Sequence, residues 1–229
     1  IDITKDVEDI TKKVSIKNTS FNVLISGMDS YGTINKTTRN DVNMIATVNP
    51  NTNKVLLTSI PRDYYVQLHG KTGYKDKLTH AGIYGINTVV QTIEDLFGID
   101  INYYVRVNFT TVESLVNTIG PIEIYSDKAM SLDGCKYVVG TNTVNGKCAL
   151  RFARERHSYV EGDNHRIKNQ QEVIKGIFNK LSKSAMVVTD YTSILDSLDG
   201  KFATNMDMKD ITAFIKYELE DITKYEILD

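Results

Sequence analysis

Short apolar runs alternate with longer amphipathic stretches along this chain, and the two patterns predict strands and helices respectively. The second and third runs carry apolar residues on both faces, as central strands covered by helices do. The predicted strands are Phe21–Met28, Val42–Val48, Val55–Ile60, Tyr103–Val107 and Ile122–Tyr125. The predicted helices are Thr88–Phe97, Thr110–Ile119, Val144–Phe152, Arg166–Leu181, Thr192–Leu198 and Met208–Leu219.

This alternation predicts an α/β fold with three layers, in which a central mixed sheet is flanked by helices. Residues 1–20 are polar and are predicted to be a leader into one domain over 21–229. Because the chain opens at Ile1, we expect it to be an excised piece from which a signal or membrane anchor was removed. No apolar run approaches the roughly 18 residues that a membrane-spanning helix needs.

Composition excludes several classes of protein. The 229 residues are 41% apolar and 24% charged, which is an ordinary globular balance and excludes a disordered tail, a collagen-like fibre and a disulfide-dense mini-protein. The net charge of −2 gives no reason to expect a nucleic-acid partner.

Two apparent motifs carry little weight. Gly70-Lys71-Thr72 resembles the end of a P-loop, but that motif needs a glycine at position 65, where this chain has tyrosine. The cysteines and two histidines match no compact zinc-ligand spacing. Those four residues are Cys135, Cys148, His157 and His165. The two cysteines would pair in an oxidising compartment and would be free thiols in the cytosol.

Arginine is scarce, with 7 arginines among the 27 basic residues, so each one is a candidate for bidentate binding of an oxyanion. Five of them fall in short clusters: Arg39, Arg62, Arg154, Arg156 and Arg166. Structural ion pairs are the alternative interpretation.

Acids and arginines lie at the ends of the first three predicted strands. Asp29 ends the first strand, Arg39 and Asp41 open the second on one side of it, and Arg62 and Asp63 end the third. Ligands of open α/β sheets collect at strand ends. Two carboxylates beside guanidinium groups suit a divalent metal and a phosphate ligand, although a self-neutralising salt-bridge network fits equally well.

The helix that opens at Arg166 has a broad apolar stripe headed by a cation and an amide. Arg166 and Gln170 lie at the edge of the stripe, while Glu172 is predicted to point away from it. The pattern fits an amphiphile with a charged head and a hydrocarbon tail, or a plain core helix with an exposed first turn. The candidate lipid-binding residues are Val173, Ile174, Ile177, Phe178 and Leu181.

These residues stand in a set of motifs by which the chain resembles the LytR-CpsA-Psr family of bacterial cell-envelope enzymes, from about Phe21 through Leu181. The motifs are G-M-D, R-N-D, N-P followed by S-I-P-R-D, D-K-L-T-H-A, A-L-R-F-A-R-E-R-H and G-D-N-H-R-x-x-N-Q-Q. Gly85-Ile86 and His165 depart from the family pattern and affect only the expected pocket shape.

The resemblance implies a phosphotransferase on the outer face of the cytoplasmic membrane, in a Gram-positive bacterium. Such an enzyme takes a glycopolymer (teichoic acid, capsule or another wall polysaccharide) from a polyprenyl-pyrophosphate carrier and attaches it to peptidoglycan. Most members have an N-terminal membrane anchor. A polyprenyl-pyrophosphate hydrolase and a non-catalytic regulator that binds lipid-linked intermediates are the alternatives.

The resemblance also implies roles for single residues. Asp29 and Asp41 would hold Mg²⁺, and Asp63 would orient the neighbouring arginine or serve the acceptor. Asp63 and Asp163 are both candidates for the base. The residues that would surround the pyrophosphate are Arg39, Arg62, Arg154, Arg156, Arg166 and Gln170. The catalytic set would be Arg62, Asp63, Arg154, Arg156 and Asp163. An extracytoplasmic location would favour a disulfide between Cys135 and Cys148.

Overall fold

The computed structural model describes residues 11–34, 37–52, 54–73, 75–160, 162–183, 191–215 and 226–227. The chain folds into two compact units. The first comprises Ile1–Thr110 with Asp199–Asp229, and the second comprises Thr111–Leu198.

A six-stranded mixed sheet organises the first unit, with strand order β11-β6-β1-β2-β3-β12. Its strands are β1 (Phe21–Met28), β2 (Asn40–Asn49), β3 (Lys54–Ile60), β6 (Tyr103–Asn108), β11 (Phe202–Thr204) and β12 (Glu226–Ile227). β1 runs parallel to β6 and antiparallel to β2, which is antiparallel to β3. β11 pairs antiparallel with β6, and β12 pairs parallel with β3.

Smaller elements complete this unit. β4 (Tyr65–Gln67) and β5 (Lys75–Lys77) form a two-stranded sheet, and a 3₁₀ helix follows at Leu78–Tyr84. Helix α1 (Ile86–Phe97) comes next, and helix α6 (Met208–Ile215) lies near the C-terminus. A buried apolar cluster joins β1, β2, β3 and β6 to the 3₁₀ helix and α1 through residues such as Leu24, Ile45, Leu78 and Val89. This cluster therefore anchors the segment that connects β5 to α1.

The second unit is built around helix α4. Its helices are α2 (Phe109–Ile119), α3 (Gly146–Arg154), α4 (Asp163–Lys183) and α5 (Tyr191–Ser197). Its strands are β7 (Ile122–Ser126), β8 (Met130–Leu132), β9 (Cys135–Tyr137) and β10 (Gly140–Val144). β7 pairs with β10 and β8 with β9, both antiparallel, and α4 packs on β7 and α3.

The predicted α/β class, with a mixed central sheet and flanking helices, is confirmed. The bounds of β1 are as predicted, whereas α3 is shifted two residues towards the C-terminus. The predicted last helix is described only to Ile215, so its residues 216–219 lie outside the described part. The leader over 1–20 and the single domain over 21–229 stay predictions. Within the described ranges, no helix is both long and apolar enough to cross a membrane.

Candidate functional site

The polar residues predicted to meet at the strand ends of the first unit do share one end of its sheet. Met28 at the end of β1 pairs with Asn40 at the start of β2, and Asn43 pairs with Ile60 at the end of β3. The antiparallel pairing therefore brings the end of β1, the start of β2 and the end of β3 to the same edge. The residues placed there are Asp29, Arg39, Asp41, Arg62 and Asp63.

Asp41 occupies a β-bulge. Gly27 pairs with Val42 and Met28 pairs with Asn40, so Asp41 is the extra residue of β2 between the two pairs. A bulge bends its strand and re-aims a side chain. Because β2 begins at Asn40 and is bulged at the next residue, strand alternation does not determine the side on which Arg39 and Asp41 lie.

Arg62 lies between two carboxylates. Its Nη1 donates to Oδ2 of Asp41 at 3.1 Å, and its Nε lies 3.4 Å from Oδ2 of Asp63. The Arg62 and Asp41 side chains are 27% and 17% exposed, so water screens this pair less than it screens a surface ion pair. The first unit therefore holds one guanidinium in a fixed orientation at the sheet edge.

Two residues that the sequence argument did not assign complete this cluster. Lys77 Nζ donates to Oδ1 of Asp63 at 2.6 Å, and Thr79 Oγ1 donates to Oδ1 of Asp41 at 3.0 Å. Their backbone is fixed because Thr79 N donates to the carbonyl of Arg62 at 2.9 Å. The D-K-L-T-H-A motif contains both residues and was the sequence feature from which they could have been identified.

Two cations act on Asp63. The hydrogen bond from Lys77 lowers the pKa of its carboxyl, and the charge of Arg62 adds to this effect, while partial burial opposes it. Asp63 is therefore a firmly ionised carboxylate, which suits an orienting role better than that of a proton acceptor.

The 3₁₀ helix packs tightly against the segment that leads into β2. A methyl group added at Gly82 would lie 2.4 Å from the carbonyl oxygen of Thr38 and 3.0 Å from the backbone nitrogen of Asn40. Only a glycine fits this approach, because a real Cβ does not come so close to backbone atoms. The packing fixes the segment that contains Arg39 relative to Thr79.

The donor chemistry of the sheet edge is compatible with Mg²⁺. Asp29 is exposed, and each oxygen of Asp41 is engaged by one donor, which leaves each with remaining acceptor capacity. Within the described residues, no group of three or more His, Cys, Asp or Glu side chains could hold a metal. Mg²⁺ commonly takes one or two carboxylates and completes its octahedron with water and substrate phosphates, so the two aspartates fit that pattern.

The second unit carries the other predicted phosphate ligands. Arg154 ends α3, and Glu155 has extended backbone after it, so Arg154 and Arg156 do not belong to one extended segment as predicted. Both arginines are exposed. Glu155 Oε1 accepts a hydrogen bond from Ser158 N at 2.7 Å, which fixes the turn that follows Arg156.

His165 in the first turn of α4 is 5% exposed and stacks on Tyr159 at a centroid distance of 3.3 Å. Its Nε2 lies 3.3 Å from Oδ1 of Asp127. This histidine therefore fixes the start of the helix from which Arg166 and Gln170 project. The side chain of Asp163 lies outside the described part of the structure.

The apolar stripe of α4 is divided between two environments. Val173 and Leu181 are 3% and 9% exposed, whereas the other stripe residues keep a larger exposed fraction. A methyl group added at Gly176 would lie 2.5 Å from the carbonyl oxygen of Glu123, so this face of the helix packs on β7. The partly exposed residues are Ile174, Ile177 and Phe178.

The sequence predicts that Glu172 points away from the apolar stripe of α4, but the structure shows its side chain in contact with β7. Its Oε2 accepts a hydrogen bond from Tyr125 N at 3.1 Å, and its side chain is 14% exposed. The helical period placed it correctly relative to its neighbours, but β7 covers this part of α4.

A disulfide joins Cys135 to Cys148 across a Cα separation of 5.6 Å. It connects β9 to the first turn of α3, where the side chain of Asn145 accepts a hydrogen bond from Cys148 N. The bridge therefore anchors the start of the helix that ends at Arg154.

A family model described as "LytR_cpsA_psr family" matches residues 2–227 of the chain. The chain is 34% identical over 221 residues to a protein of Bacillus subtilis (strain 168), covering 94% of this chain and 71% of the relative. It is 33% identical over 217 residues to a protein of Enterococcus faecalis, covering 92% of this chain and 71% of that protein. Both relatives are named "Polyisoprenyl-teichoic acid--peptidoglycan teichoic acid transferase TagU".

Solved structures give the same match. The crystal structure of B. subtilis TagU superposes with a TM-score of 0.71 at 33% identity, covering 85% of this chain and 80% of that one. A structure described as "TagT bound to LI-WTA" superposes with a TM-score of 0.71 at 27% identity, covering 94% of this chain and 79% of that one.

Proposed function

The chain belongs to the LytR-CpsA-Psr family, and from this premise we propose that it transfers a teichoic acid or related wall glycopolymer from a polyprenyl-pyrophosphate carrier to peptidoglycan. The resemblance that the motifs predicted is thereby confirmed. The observation that supports the reaction is Arg62 held between Asp41 and Asp63 at the end of the sheet. A guanidinium fixed in this way suits a phosphate group, which it can bind through two oxygens.

The proposed reaction is a phosphoryl-centred transfer. A hydroxyl of peptidoglycan passes its proton to a general base and attacks the polymer-side phosphorus. A new P–O bond forms, and the polyprenyl phosphate leaves with the electrons of the broken P–O bond. Negative charge spreads over the non-bridging oxygens, and fixed cations stabilise it. In the first unit we assign this role to Arg39 and Arg62.

For the second unit we assign Arg154, Arg156, Arg166 and Gln170 to phosphate oxygens of the donor. The exposure of Arg154 and Arg156 and the fixed start of α4 support the assignment. An arginine bound through its planar fork is not replaceable by lysine, which gives the assignment a direct test.

Asp29 and Asp41 would hold Mg²⁺, which when bound would neutralise charge on the phosphate groups. Asp63 we assign to orienting Arg62, because its carboxylate is already bonded to Lys77 and its pKa is lowered. The role of Asp163 as the base stays a prediction.

We assign the partly exposed residues Ile174, Ile177 and Phe178 to contacts with the polyprenyl chain, with the buried Val173 and Leu181 supporting them. We further place the protein on the outer face of the cytoplasmic membrane of a Gram-positive bacterium, tethered through an N-terminal anchor. The disulfide supports an oxidising compartment.

Incubation with a radiolabelled polyprenyl-pyrophosphate glycopolymer and purified peptidoglycan tests the proposal. The expected result is label bound covalently to peptidoglycan, dependent on Arg62. Release of soluble label without an acceptor would identify a hydrolase. Tight donor binding without turnover under every acceptor condition would identify a regulator.

A further inference from the structure

Arg106 is a buried cation that the proposed reaction does not use. It lies on β6 and is only 8% exposed. Burial lowers the pKa of its guanidinium, an effect that the neighbouring Tyr104 partly opposes. Charged side chains are rarely buried without a partner, because the loss of hydration is compensated only by acceptors.

Two nitrogens of Arg106 have no such acceptor. Nε and Nη2 are closed off from solvent and donate to no oxygen or nitrogen of the described residues. These two N–H groups point in the same direction and form one edge of the planar guanidinium fork. That edge matches the spacing of two oxygens in a carboxylate or phosphate. A single oxyanion can therefore accept hydrogen bonds from both N–H groups.

The polar neighbours of Arg106 are already paired with one another. Ser26 pairs with Arg106 across β1 and β6, and with Asn43 across β1 and β2, so the three side chains share one face of the sheet. Ser26 Oγ donates to Oδ1 of Asn40 at 2.7 Å, and Asn40 Nδ2 donates to Oδ1 of Asn43 at 2.8 Å. This row of polar residues, formed by Ser26, Asn40 and Asn43, contains no carboxylate that could pair with the guanidinium.

The row lies next to the acid and arginine cluster. Asn40, the middle residue of the hydrogen-bonded chain from Ser26 to Asn43, precedes the bulged Asp41 that binds Arg62. β1 and β6 are parallel, and Arg106 lies two pairs before their shared carboxyl end, where Met28 pairs with Asn108. Ligands of α/β sheets collect at that end.

We propose that Arg106 is a further donor-binding residue, whose Nε–Nη2 edge binds two oxygens of a phosphate group of the polyprenyl-pyrophosphate donor. The inference rests on the proposed function for the identity of that phosphate. In the free protein the edge is enclosed, and the flexible side chain turns it towards the phosphate when the donor binds. An unsatisfied buried group is destabilising, so this edge of Arg106 lowers the free energy of unfolding of the ligand-free protein.

Arg106→Met tests both the destabilising effect of Arg106 in the free protein and its binding of a phosphate group. The substitution keeps the length of the side chain and removes the charge and the donors. We expect the free variant to melt about 2–4 °C above the wild type, since a buried cation with two unsatisfied nitrogens is replaced by an apolar group. We expect its affinity for inorganic pyrophosphate and farnesyl pyrophosphate, measured by isothermal titration calorimetry, to fall at least about tenfold. Arg106→Lys keeps the charge without the fork, and its affinity should also fall at least about fivefold.

Arg151→Met is the matched control. Arg151 is 42% exposed and pairs with Asp133 at 3.0 Å, so this variant loses the same charge at a surface ion pair. Its affinity for both ligands should stay within about twofold of the wild type, because exposed charges are screened.

Several outcomes would overturn the inference. A lower melting temperature with unchanged ligand affinity in Arg106→Met and Arg106→Lys would make Arg106 structural. If Arg106→Met binds inorganic pyrophosphate more weakly but binds farnesyl pyrophosphate as the wild type does, Arg106 does not bind the lipid-linked donor. If the wild type binds both ligands through Arg106 but transfers no polymer, the inference stands and the proposed function fails. If Arg106→Met binds and transfers like the wild type, the function stands and the inference fails.

Discussion

Replacing Asp63 by Asn distinguishes an orienting carboxylate from a catalytic base. Asn keeps the shape of the side chain but removes the charge that Arg62 and Lys77 contact at 3.4 Å and 2.6 Å. We expect the transfer rate to fall about tenfold, which corresponds to about 1.4 kcal/mol of transition-state stabilisation. Loss of a general base would cost more, about 10²–10⁴-fold.

The same substitution should lower stability slightly near neutral pH. The Asp63 and Lys77 side chains are 50% and 52% exposed, so solvent screens their ion pair. Exposed pairs contribute about 0–1 kcal/mol, which for a chain of this size corresponds to a decrease of at most about 4 °C in melting temperature.

The pH dependence follows from the direction of the shift. The hydrogen bond from Lys77 and the charge of Arg62 lower the pKa of Asp63 from its ordinary value of 3.8. The stabilisation is therefore present above the unfolded pKa and is lost as the pH falls through the lower folded pKa. Asp63→Asn and wild type should differ in melting temperature near neutral pH and converge in strong acid.

The assay is the rate of labelled polymer transfer from pH 5 to pH 9, with a melting curve at each pH. Asp95→Asn is the control, because Asp95 is also an exposed carboxylate paired with a basic group, His69 at 2.7 Å, and lies outside the sheet-edge cluster. The orienting role predicts a uniformly lower rate with an unchanged pH profile. A loss of 100-fold or more across this pH range, with the Asp95→Asn control unchanged, would refute it and make Asp63 the base.

Three further outcomes are expected. Asp29→Ala and Asp41→Ala should abolish Mg²⁺-dependent turnover with the circular dichroism spectrum unchanged, and full wild-type activity in excess chelator would contradict this. Arg154→Lys should transfer at least about tenfold more slowly, since lysine lacks the planar fork, and wild-type kinetics would make Arg154 structural. Ile177→Asp should weaken binding of a long-chain donor far more than that of a short-chain analogue, because each buried CH₂ contributes about 0.8 kcal/mol. Equal affinity of the wild type for both donors would contradict a contact between Ile177 and the polyprenyl chain.

The sequence predicted the sheet strands well where hydrophobic burial dictates them. The run Phe21–Met28 forms β1 with unchanged bounds, because its residues are covered on both faces. The short strands β4, β5, β8 and β9 have three residues each and too few positions to show a period. Their pairing depends on turns and on the disulfide at Cys135, which local patterns do not specify.

The candidate site was predictable by residue type and only partly by position. The sequence grouped Asp41 with Arg62 as an acid and an arginine at strand ends, and the antiparallel pairing seen in the structure brings them to one edge of the sheet. The bulge at Asp41 was not predictable, since a single extra residue leaves the hydrophobic pattern of β2 almost unchanged. Lys77 and Thr79 were missed because their role depends on the loop that brings the 3₁₀ helix back to Arg62.

The bulge in β2 has a consequence for how this strand tolerates changes in length. The ladder between β1 and β2 is continuous on both sides of Asp41, so the sheet would gain regular pairing if that one position were deleted. Folding alone therefore gives no reason to keep the residue, and a chain lacking it should still assemble the sheet. What such a deletion removes is the oxygen pair that binds Arg62 and Thr79. At this position the number of residues in the strand therefore affects function, in addition to the chemistry of the side chains.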